Sequence, residues 1–361
     1  MSIWHYAERF LELPPQYRLT LGEGQTPLVQ SRHIGPGAGL KNLFFKVEGT
    51  NPSGSYKDRF AAAAVSDMLR NRKTRCVATS SGNTGAALAA YCAAAGIDCE
   101  IAVVETAPLS KLKQMMAYGA RIYKVRGFGT DAGTTAKTFE LLTHRAAGPD
   151  AALQISAFLA SPVGMSGVQT ISYELEEQMP RGRQHVFIPA GGGGLTLAIA
   201  RGFERGRTRP RVHCVQPAGN DTIATVLRRG EEKARPVQCT TQISGLQVSS
   251  VLDGDEVIAA CRSSGGTGHL VSDDQVWLMQ ARLAREEGIF CEPAAAVSVV
   301  AAINAHSAGE LPTDDQICCI VTGVGFKDLP SVDRITLAEC PVVDVDWLKR
   351  DNTAVRHLGA S

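Results

Sequence analysis

The sequence lacks the features by which several classes of protein are recognised. Its 361 residues contain no uninterrupted apolar run long enough to cross a membrane. The N-terminal segment MSIWHYAERFLELPPQYRL is amphipathic and charged, without the apolar core of a secretory signal. The net charge is +1, so the chain as a whole selects neither nucleic acid nor an anionic membrane. These absences predict a cytoplasmic protein without a nucleic-acid or membrane partner.

Familiar metal and disulfide patterns are absent as well. The ten cysteines form no C-x-x-C pair, and the eight histidines form no HExxH motif. Most of the cysteines lie in apolar segments such as RCVATS and QICCIVTG, which predicts reduced cysteines in the core of a cytosolic protein. Cys318 and Cys319 fall in one predicted strand and should face opposite sides of it. The spacing indicates neither a disulfide nor a metal site.

What the sequence does contain is typical of a soluble enzyme. Hydrophobic residues make up 44% and charged residues 20% of a chain long enough for two domains. Short β-branched runs alternate with longer alanine- and leucine-rich segments, among them one helix predicted over residues 164–178. Strands separated by such helices predict parallel sheets covered on both faces, with ligands bound outside the carboxyl ends of the strands. The chemically unusual strand-to-helix loops are therefore the candidate sites.

The first such loop is NPSGSYKDRF, in which turn residues follow a short strand and Lys57 opens an alanine-rich helix. The positive end of the helix dipole disfavours an ammonium group. A lysine there, if also desolvated, is biased toward the neutral, nucleophilic amine that a Schiff base requires. The alternative is a solvated lysine beside a capping serine, with Asp58 complementing the dipole.

Two further loops offer groups that bind anions. TSSGNTG, residues 79–85, places hydroxyls and an amide at a helix N-terminus, which suits the carboxylate of an amino acid; the alternative is an ordinary capping turn. The loop at 191–194 is four consecutive glycines, typical of backbone amides that close on a phosphate. It is neither a Walker loop nor GxGxxG with an acidic ribose partner, so a phosphate outside a dinucleotide is favoured over a tight packing turn.

The fourth loop is CCIVTGVGFKD, where a buried strand ends in Thr322 and a glycine-rich turn. Thr322 either presents a neutral hydroxyl at the carboxyl end of the sheet or simply ends the strand. Taken together and in this order, the loops resemble the pyridoxal-phosphate enzymes of the tryptophan-synthase-β fold type (fold type II), and more narrowly the threonine synthase family. The resemblance covers roughly residues 20 to 330 and includes the segments GEGQTPL, NPSGSYKDR, SSGNTGAALAAYCAAAG, KLKQMMAYGARI, GGGGL, EPAAAV and TGVGFKD.

The resemblance implies pyridoxal 5′-phosphate as cofactor, a small amino acid as substrate and a role for each matching residue. Lys57 is implied to carry the cofactor as a Schiff base and then to remove the α-proton of the substrate. The implied cofactor contacts are Asn83 for the 3′-oxygen, Gly191, Gly192, Gly193, Gly194 and the amide of Leu195 for the phosphate, and Thr322 for the pyridine nitrogen. The implied ligands of the substrate carboxylate are Ser80, Ser81 and Thr84.

The resemblance also implies an architecture of two doubly wound α/β domains with largely parallel sheets and the cofactor in the cleft between them. Residues 1–40 and 161–361 would form the large domain. Residues 41–160 would form a smaller mobile domain that carries Lys57 and the SGNT loop, and closes over the substrate to exclude water. A homodimer is expected. The tail after about residue 338 carries no motif.

The sequence departs from threonine synthases in two places. Gly164, in the run SPVGMSGVQT, stands where those enzymes carry an arginine for the substrate phosphate. GGGGL is more similar to the phosphate loop of threonine and serine dehydratases. Lys111, Lys113 or Arg126 is a candidate replacement for the arginine.

The leading hypothesis is a threonine synthase acting on O-phosphohomoserine. The alternative is β-elimination or β-replacement on threonine, serine or O-phosphoserine, as in dehydratases or cysteate synthase. A non-catalytic sensor would not need Lys57 and Asn83 together. The arginine cluster RGRTRPR, residues 205–211, is typical of a solvated loop rather than a nucleic-acid site, since the net charge is near zero.

Overall fold

The computed structural model describes residues 2–336 and 342–349 and builds them from alternating strands and helices. The strands are β1 (Leu28–Gln30), β2 (Leu43–Val47), β3 (Arg75–Thr79), β4 (Asp98–Val104), β5 (Arg121–Val125), β6 (Ala151–Gln154), β7 (Gln184–Pro189), β8 (Arg211–Pro217), β9 (Gly268–Val271) and β10 (Gln316–Val321). The α-helices are α1 (Ala7–Phe10), α2 (Ile34–Gly37), α3 (Lys57–Arg70), α4 (Asn83–Ala95), α5 (Leu109–Ala117), α6 (Ala132–Ala146), α7 (Pro162–Val168), α8 (Thr170–Gln178), α9 (Gly194–Glu204), α10 (Ala224–Arg228), α11 (Gly254–Ser263), α12 (Asp273–Glu287), α13 (Pro293–Ser307) and α14 (Leu329–Ile335).

The strands form two sheets. One has six strands in the order β1-β2-β10-β7-β8-β9, and the other has four in the order β5-β4-β3-β6. All pairs are parallel except β1 with β2 at one edge. Parallel pairing follows from the helical crossovers, since each helix returns the chain to the same end of the sheet. The predicted α/β class with largely parallel sheets is confirmed.

Both faces of the six-stranded sheet are buried, in two separate apolar cores. Phe187, Ile317 and Cys319 face one core with α12 and α13, while Val186 and Cys318 face the other. Adjacent residues of one strand enter different cores because side chains alternate across a sheet. The prediction that Cys318 and Cys319 face opposite sides is confirmed. Among the described residues, no helix is both long enough and apolar enough to span a bilayer.

The single helix predicted over residues 164–178 is wrong, because two helices, α7 and α8, meet at Gln169. The amide of Gln169 donates to the carbonyl of Ser166, three residues back, and the hydroxyl of Thr170 donates to the carbonyl of Gly167. Bonds of this shorter span tighten the chain at the junction. α7 thereby packs along α3, and α8 turns a buried glutamate toward the same helix.

That glutamate belongs to a buried group of four charged residues, called here the Arg59 network: Lys46, Glu48, Arg59 and Glu174. The guanidinium of Arg59 donates to Glu48 at 2.7 and 2.8 Å and to Glu174 at 2.5 and 2.9 Å. The ammonium of Lys46 donates to Glu174 at 2.6 Å. All four are almost completely shielded from solvent. The network ties α3 to β2 and α8 directly behind the lysine loop.

The predicted division into domains remains a proposal. The four strands of the smaller sheet all lie within the predicted range of 41–160, but β2, which also lies in that range, pairs with β10 in the six-stranded sheet. Of the C-terminal tail, the described part includes a short 3₁₀ helix at Val345–Lys349. The rest of the tail lies outside the described residues.

Candidate active site

The lysine loop is attached through its backbone to the loop that follows β10. Ser55 forms a β-bridge with Gly323, and the amide of Tyr56 donates to the carbonyl of Thr322 at 3.0 Å. α3 begins at the next residue, Lys57. The structure therefore brings Lys57 and Thr322, which lie far apart in the sequence, to the same end of the six-stranded sheet.

Lys57 is half-buried, and its partners are hydroxyl groups. Its Nζ donates to Oγ of Ser156 at 2.7 Å, and that hydroxyl shares a hydrogen bond with Oγ1 of Thr84 at 2.9 Å. Nζ also lies 4.7 Å from the centroid of the Tyr56 ring. Burial lowers the pKa of Lys57 to about 8, although Glu292 and Asp253 favour its charged form. The lysine therefore loses its proton more readily than a solvated lysine, as its position at a helix start predicts.

Asn83 and Thr322 converge on one carboxyl group, that of Glu292 just before α13. Nδ2 of Asn83 donates to the two oxygens of Glu292 at 3.1 and 2.9 Å, and the Thr322 hydroxyl donates to one of them at 2.9 Å. Glu292 and Thr322 are buried. Burial raises the pKa of Glu292, against the two hydrogen bonds. The carboxyl group of Glu292 therefore contacts both side chains that the resemblance assigns to the cofactor ring, Asn83 to the 3′-oxygen and Thr322 to the nitrogen.

The glycine loop between β7 and α9 forms a cradle of backbone amides. Among the described residues, the amides from Gly191 to Thr196 have no hydrogen-bond acceptor. Gly193 has φ +95°, and a Cβ there would lie 2.7 Å from Val257. A Cβ at Gly191 would lie 3.0 Å from Val248. Unpaired amides at the start of an 11-residue helix, with side chains excluded by contact, have the arrangement that suits a bound anion.

Asp253 closes one side of this cradle and links the two halves of the molecule. Its carboxylate accepts from the amides of Phe158 and Leu159 at 3.0 and 3.3 Å, while its own amide donates to the carbonyl of Gly192 at 3.3 Å. Burial raises the pKa of Asp253. The loop after β6, which also supplies Ser156, is therefore fastened to the glycine loop.

The predicted substrate-carboxylate residues lie at the start of α4. Thr84 is buried in the hydroxyl chain that leads to Lys57, so the structure brings these two predicted residues together. Ser80 and Ser81 are half-buried in the same loop, where Oγ of Ser80 accepts from the amide of Gly82 at 3.2 Å. The loop is thus placed beside the lysine, as a carboxylate site requires.

Gly164 leaves no space for a side chain at its position. It is buried in α7 against α3, and a Cβ there would lie 2.5 Å from the Phe60 ring. No side chain fits at this position without moving α7, so an arginine is excluded by packing as well as by sequence.

Of the three candidate replacements for that arginine, only Lys111 bridges the cleft. Nζ of Lys111 donates to Ser244 at 2.5 Å and lies 3.6 Å from Asp328. Lys113 is exposed on the same helix, and the side chain of Arg126 is 94% exposed beside Glu105. A second lysine, Lys327, donates from the opposite side of the cleft to Gln114 of α5 at 2.7 Å.

Sequence reasoning did not identify Ser156, Glu292, Asp253 or Lys327 as functional. Glu292 and Lys327 do lie in the EPAAAV and TGVGFKD segments, so their positions in those motifs were a usable signal. Ser156 and Asp253 lie in no recognised motif. They reach the site only because β6 ends beside α4 and the loop before α11 returns to the glycine loop.

These features define a class of enzyme. A desolvated lysine follows Tyr56, whose amide is bonded to the strand-end Thr322. A cradle of free amides in which a Cβ would clash lies at the end of the neighbouring strand β7. This arrangement suits a cofactor that carries a phosphate and an electrophilic carbonyl. The residues present fit pyridoxal phosphate, with the phosphate at the cradle and the carbonyl at Lys57.

Comparisons with known proteins agree. The model of the pyridoxal-phosphate dependent enzyme family matches residues 19–323. A threonine synthase of Methanosarcina acetivorans is 30% identical over 355 residues, which cover 95% of this chain and 84% of that protein. The chain belongs to the pyridoxal-phosphate dependent enzymes, and it is similar to threonine synthases.

Solved structures show the same fold. Maize serine racemase superposes with a TM-score of 0.75 at 24% identity, covering 92% of this chain and 96% of that one. Threonine deaminase isoform 2 of Solanum lycopersicum gives a TM-score of 0.74 at 20% identity and covers 92% of both chains. The protein is thus a pyridoxal-phosphate-dependent lyase of fold type II.

Proposed function

We propose that the protein is a threonine synthase, which releases phosphate from the γ-carbon of O-phosphohomoserine and adds water at the β-carbon to give threonine. The similarity to threonine synthases over 95% of the chain supports this proposal. The structural observation that carries it is the pair of lysines, Lys111 and Lys327, that cross the cleft beside the lysine loop. They offer cations for a leaving phosphate where Gly164 offers none.

Lys327 is the better placed of the two. Its hydrogen-bond partner Gln114 is a neutral amide, whereas Lys111 lies near the carboxylate of Asp328. Burial lowers the pKa of Lys327, against the attraction of Glu292 and Asp58. The backbone of the lysine loop lies directly against it, since a Cβ at Gly54 would be 3.1 Å from Cε of Lys327. An incompletely neutralised, desolvated cation binds an added anion strongly.

The other residues then divide the work of proton transfer and positioning. When bound, pyridoxal phosphate supplies the electron sink for the α-carbon of the substrate. The neutral Nζ of Lys57 takes the α-proton, and the Ser156 hydroxyl holds that amine in place. Thr84, Ser80 and Ser81 hold the substrate carboxylate at the start of α4. The neutral hydroxyl of Thr322 would be the partner of the ring nitrogen, and a neutral partner there would favour elimination over transamination.

The decisive test is a substrate panel containing O-phosphohomoserine, O-phosphoserine, threonine, serine and O-acetylserine, scored for phosphate, ammonia and keto acid. We expect phosphate and threonine from phosphohomoserine. Lys327→Gln should raise KM for that substrate about 10- to 100-fold, as expected for a lost charged hydrogen bond. Lys113→Gln, at an exposed lysine of α5, is the control and should leave KM unchanged. Inertness toward phosphohomoserine with turnover of another substrate would refute the proposal.

The second candidate is β-elimination or β-replacement on threonine, serine or O-phosphoserine, as in dehydratases or cysteate synthase. Two observations favour it: Gly164 admits no side chain, and the phosphate cradle consists of glycines. Ammonia and keto acid from threonine or serine, without phosphate from phosphohomoserine, would identify this activity. A homodimer in the cytoplasm is part of either proposal.

A further inference from the structure

Three buried cysteines outside the proposed active site direct their sulfur atoms at one another. The Sγ atoms of Cys76, Cys92 and Cys99 all lie within 4.8 Å of one another. Cys76 and Cys99 are directly paired positions on the parallel strands β3 and β4. Cys92 lies on α4, which covers that face of the sheet, and the three belong to one apolar core. The sequence gives no sign of this triangle, because strand register and helix packing create it.

The size of the triangle suits coordination of one metal ion. With zinc–sulfur bonds of about 2.3 Å, three sulfurs around one ion lie about 4 Å apart. The sulfurs therefore need to approach by less than about 1 Å, which rotation of a cysteine side chain supplies. Thiolate sulfur is the ligand that soft and borderline ions such as zinc and cadmium prefer.

Because the three cysteines are buried, the bound ion and its ligands should carry little net charge. Cys76 and Cys92 are fully buried and Cys99 is 7% exposed, so a highly charged complex is disfavoured. A divalent ion bound by two thiolates and one thiol is neutral, and its binding releases two protons to water. A monovalent ion bound by three thiolates would leave two negative charges in the core.

The turn between α4 and β4 lies close to the triangle, since Cys92 is three residues from the end of α4 and Cys99 is the second residue of β4. Ala93 follows Cys92 and is exposed, Asp98 precedes Cys99 and is exposed, and Gly96 makes the turn with φ +67°. We propose that Cys76, Cys92 and Cys99 form a binding site for one thiophilic divalent ion of the zinc class beneath the α4–β4 turn.

Such an ion would join β3, α4 and β4, the elements on both sides of the Ser80–Thr84 loop. Cys92 is nine residues along α4 from Asn83, about 13 Å at the helical rise per residue. The site is therefore separate from the catalytic cleft. A bound ion should stabilise the folded protein by mass action while leaving turnover possible.

Cadmium is the probe for this proposal, because its bonds to thiolates absorb in the ultraviolet. Titration of the reduced, full-length protein should give a thiolate–cadmium absorption that saturates at one ion per chain, and a higher Tm. Zinc should displace the cadmium. Cys92→Ala and, as a conservative second variant, Cys92→Ser should lose both the absorption and the rise in Tm. Cys318→Ala, a fully buried cysteine of the other sheet, is the matched control and should keep both.

Other results would overturn the proposal. Cadmium absorption of equal size in Cys92→Ser would place the ion elsewhere, with the half-buried Cys239 as the first alternative. An absence of binding to the reduced wild-type protein would show that the thiols only pack. A disulfide between two of the three in protein purified without reductant, combined with no cadmium binding after reduction, would show a redox pair instead.

Discussion

Lys57 and Arg59 stand two residues apart at the start of α3, and the protein treats their charges in opposite ways. Lys57 faces the cleft and donates to one hydroxyl, and burial lowers its pKa to about 8. Arg59 faces the interior, where Glu48 and Glu174 each receive two of its hydrogen bonds. Although burial opposes its charge, Glu174 and Glu48 raise the pKa of Arg59.

The difference shows that one turn of helix can carry both a reactive residue, Lys57, and a stabilising residue, Arg59. A buried cation with full compensation is fixed in its charged form and holds three elements together. A buried cation without a carboxylate partner is easily deprotonated, which is typical of functional sites. Because both residues lie on α3, the Arg59 network holds the start of this helix in place. It does so without giving the ammonium of Lys57 a carboxylate partner.

The largest effect is expected from replacing Lys57, the reactive residue of the two. Lys57→Ala should lower turnover of the preferred substrate by about 10²- to 10⁴-fold, the range for a lost general base. It should also abolish the linkage to pyridoxal phosphate that borohydride reduces, while Tm changes little. Activity assays and mass spectrometry after reduction measure both. A reduced adduct at full yield in this variant would show that another lysine carries the cofactor.

The next largest effect is expected on stability, from removing a carboxylate partner of Arg59. Glu174→Gln removes one carboxylate from Arg59 and leaves buried charge uncompensated, so the free energy of unfolding should fall by about 3–5 kcal/mol. The matched control is Glu140→Gln, which breaks an exposed pair with Lys137 and should cost less than about 1 kcal/mol. Denaturant unfolding compares the two variants. Equal losses would mean that the Arg59 network contributes no more than a surface pair.

The smallest effect is expected on the pH dependence of cofactor capture by Lys57. Since burial lowers the pKa of Lys57 to about 8, its neutral fraction rises with pH up to about 8 and then levels off. The rate at which protein freed of cofactor captures pyridoxal phosphate should therefore rise about tenfold per pH unit below 8 and become constant above it.

A solvated lysine would differ, because its rate would continue to rise toward pH 10. The lowered pKa also affects the free energy of unfolding. Above pH 8 the unfolded chain holds a proton on this lysine that the folded chain has lost. Stability from this group therefore rises with pH between about 8 and 10.4. A capture rate that still increases at pH 10 would contradict the desolvation of Lys57.

The sequence predicted those parts of the site that local chemistry determines. Lys57, Asn83 and the four glycines lie at strand-to-helix junctions, where turn residues and helix starts are visible in a single stretch of chain. The bounds of α3 and the parallel sheets follow equally from local patterns. Roles for these residues at the cofactor remain predictions until the experiments above are done.

The rest depends on contacts between distant segments. Ser156 touches Lys57 across 99 residues, and Glu292 touches Asn83 across 209. The two-helix junction at Gln169 depends on short-range hydrogen bonds that a continuous apolar pattern does not reveal. Strand β9 is not visible in the sequence, because its four residues include a glycine and a histidine and have no clear alternation.

The backbone contacts of Ser55 and Tyr56 with the loop after β10 bear on how this protein tolerates sequence change. Hydrogen bonds between backbone groups do not depend on which side chain a residue carries. The backbone of the lysine loop is therefore held against Thr322 by any residue at position 56 except proline, which lacks the N–H. Side chains farther out in the cleft, such as Lys111 and Lys327, are free to change with the substrate. Substrate preference can thus diverge in this fold while the reactive centre stays in place.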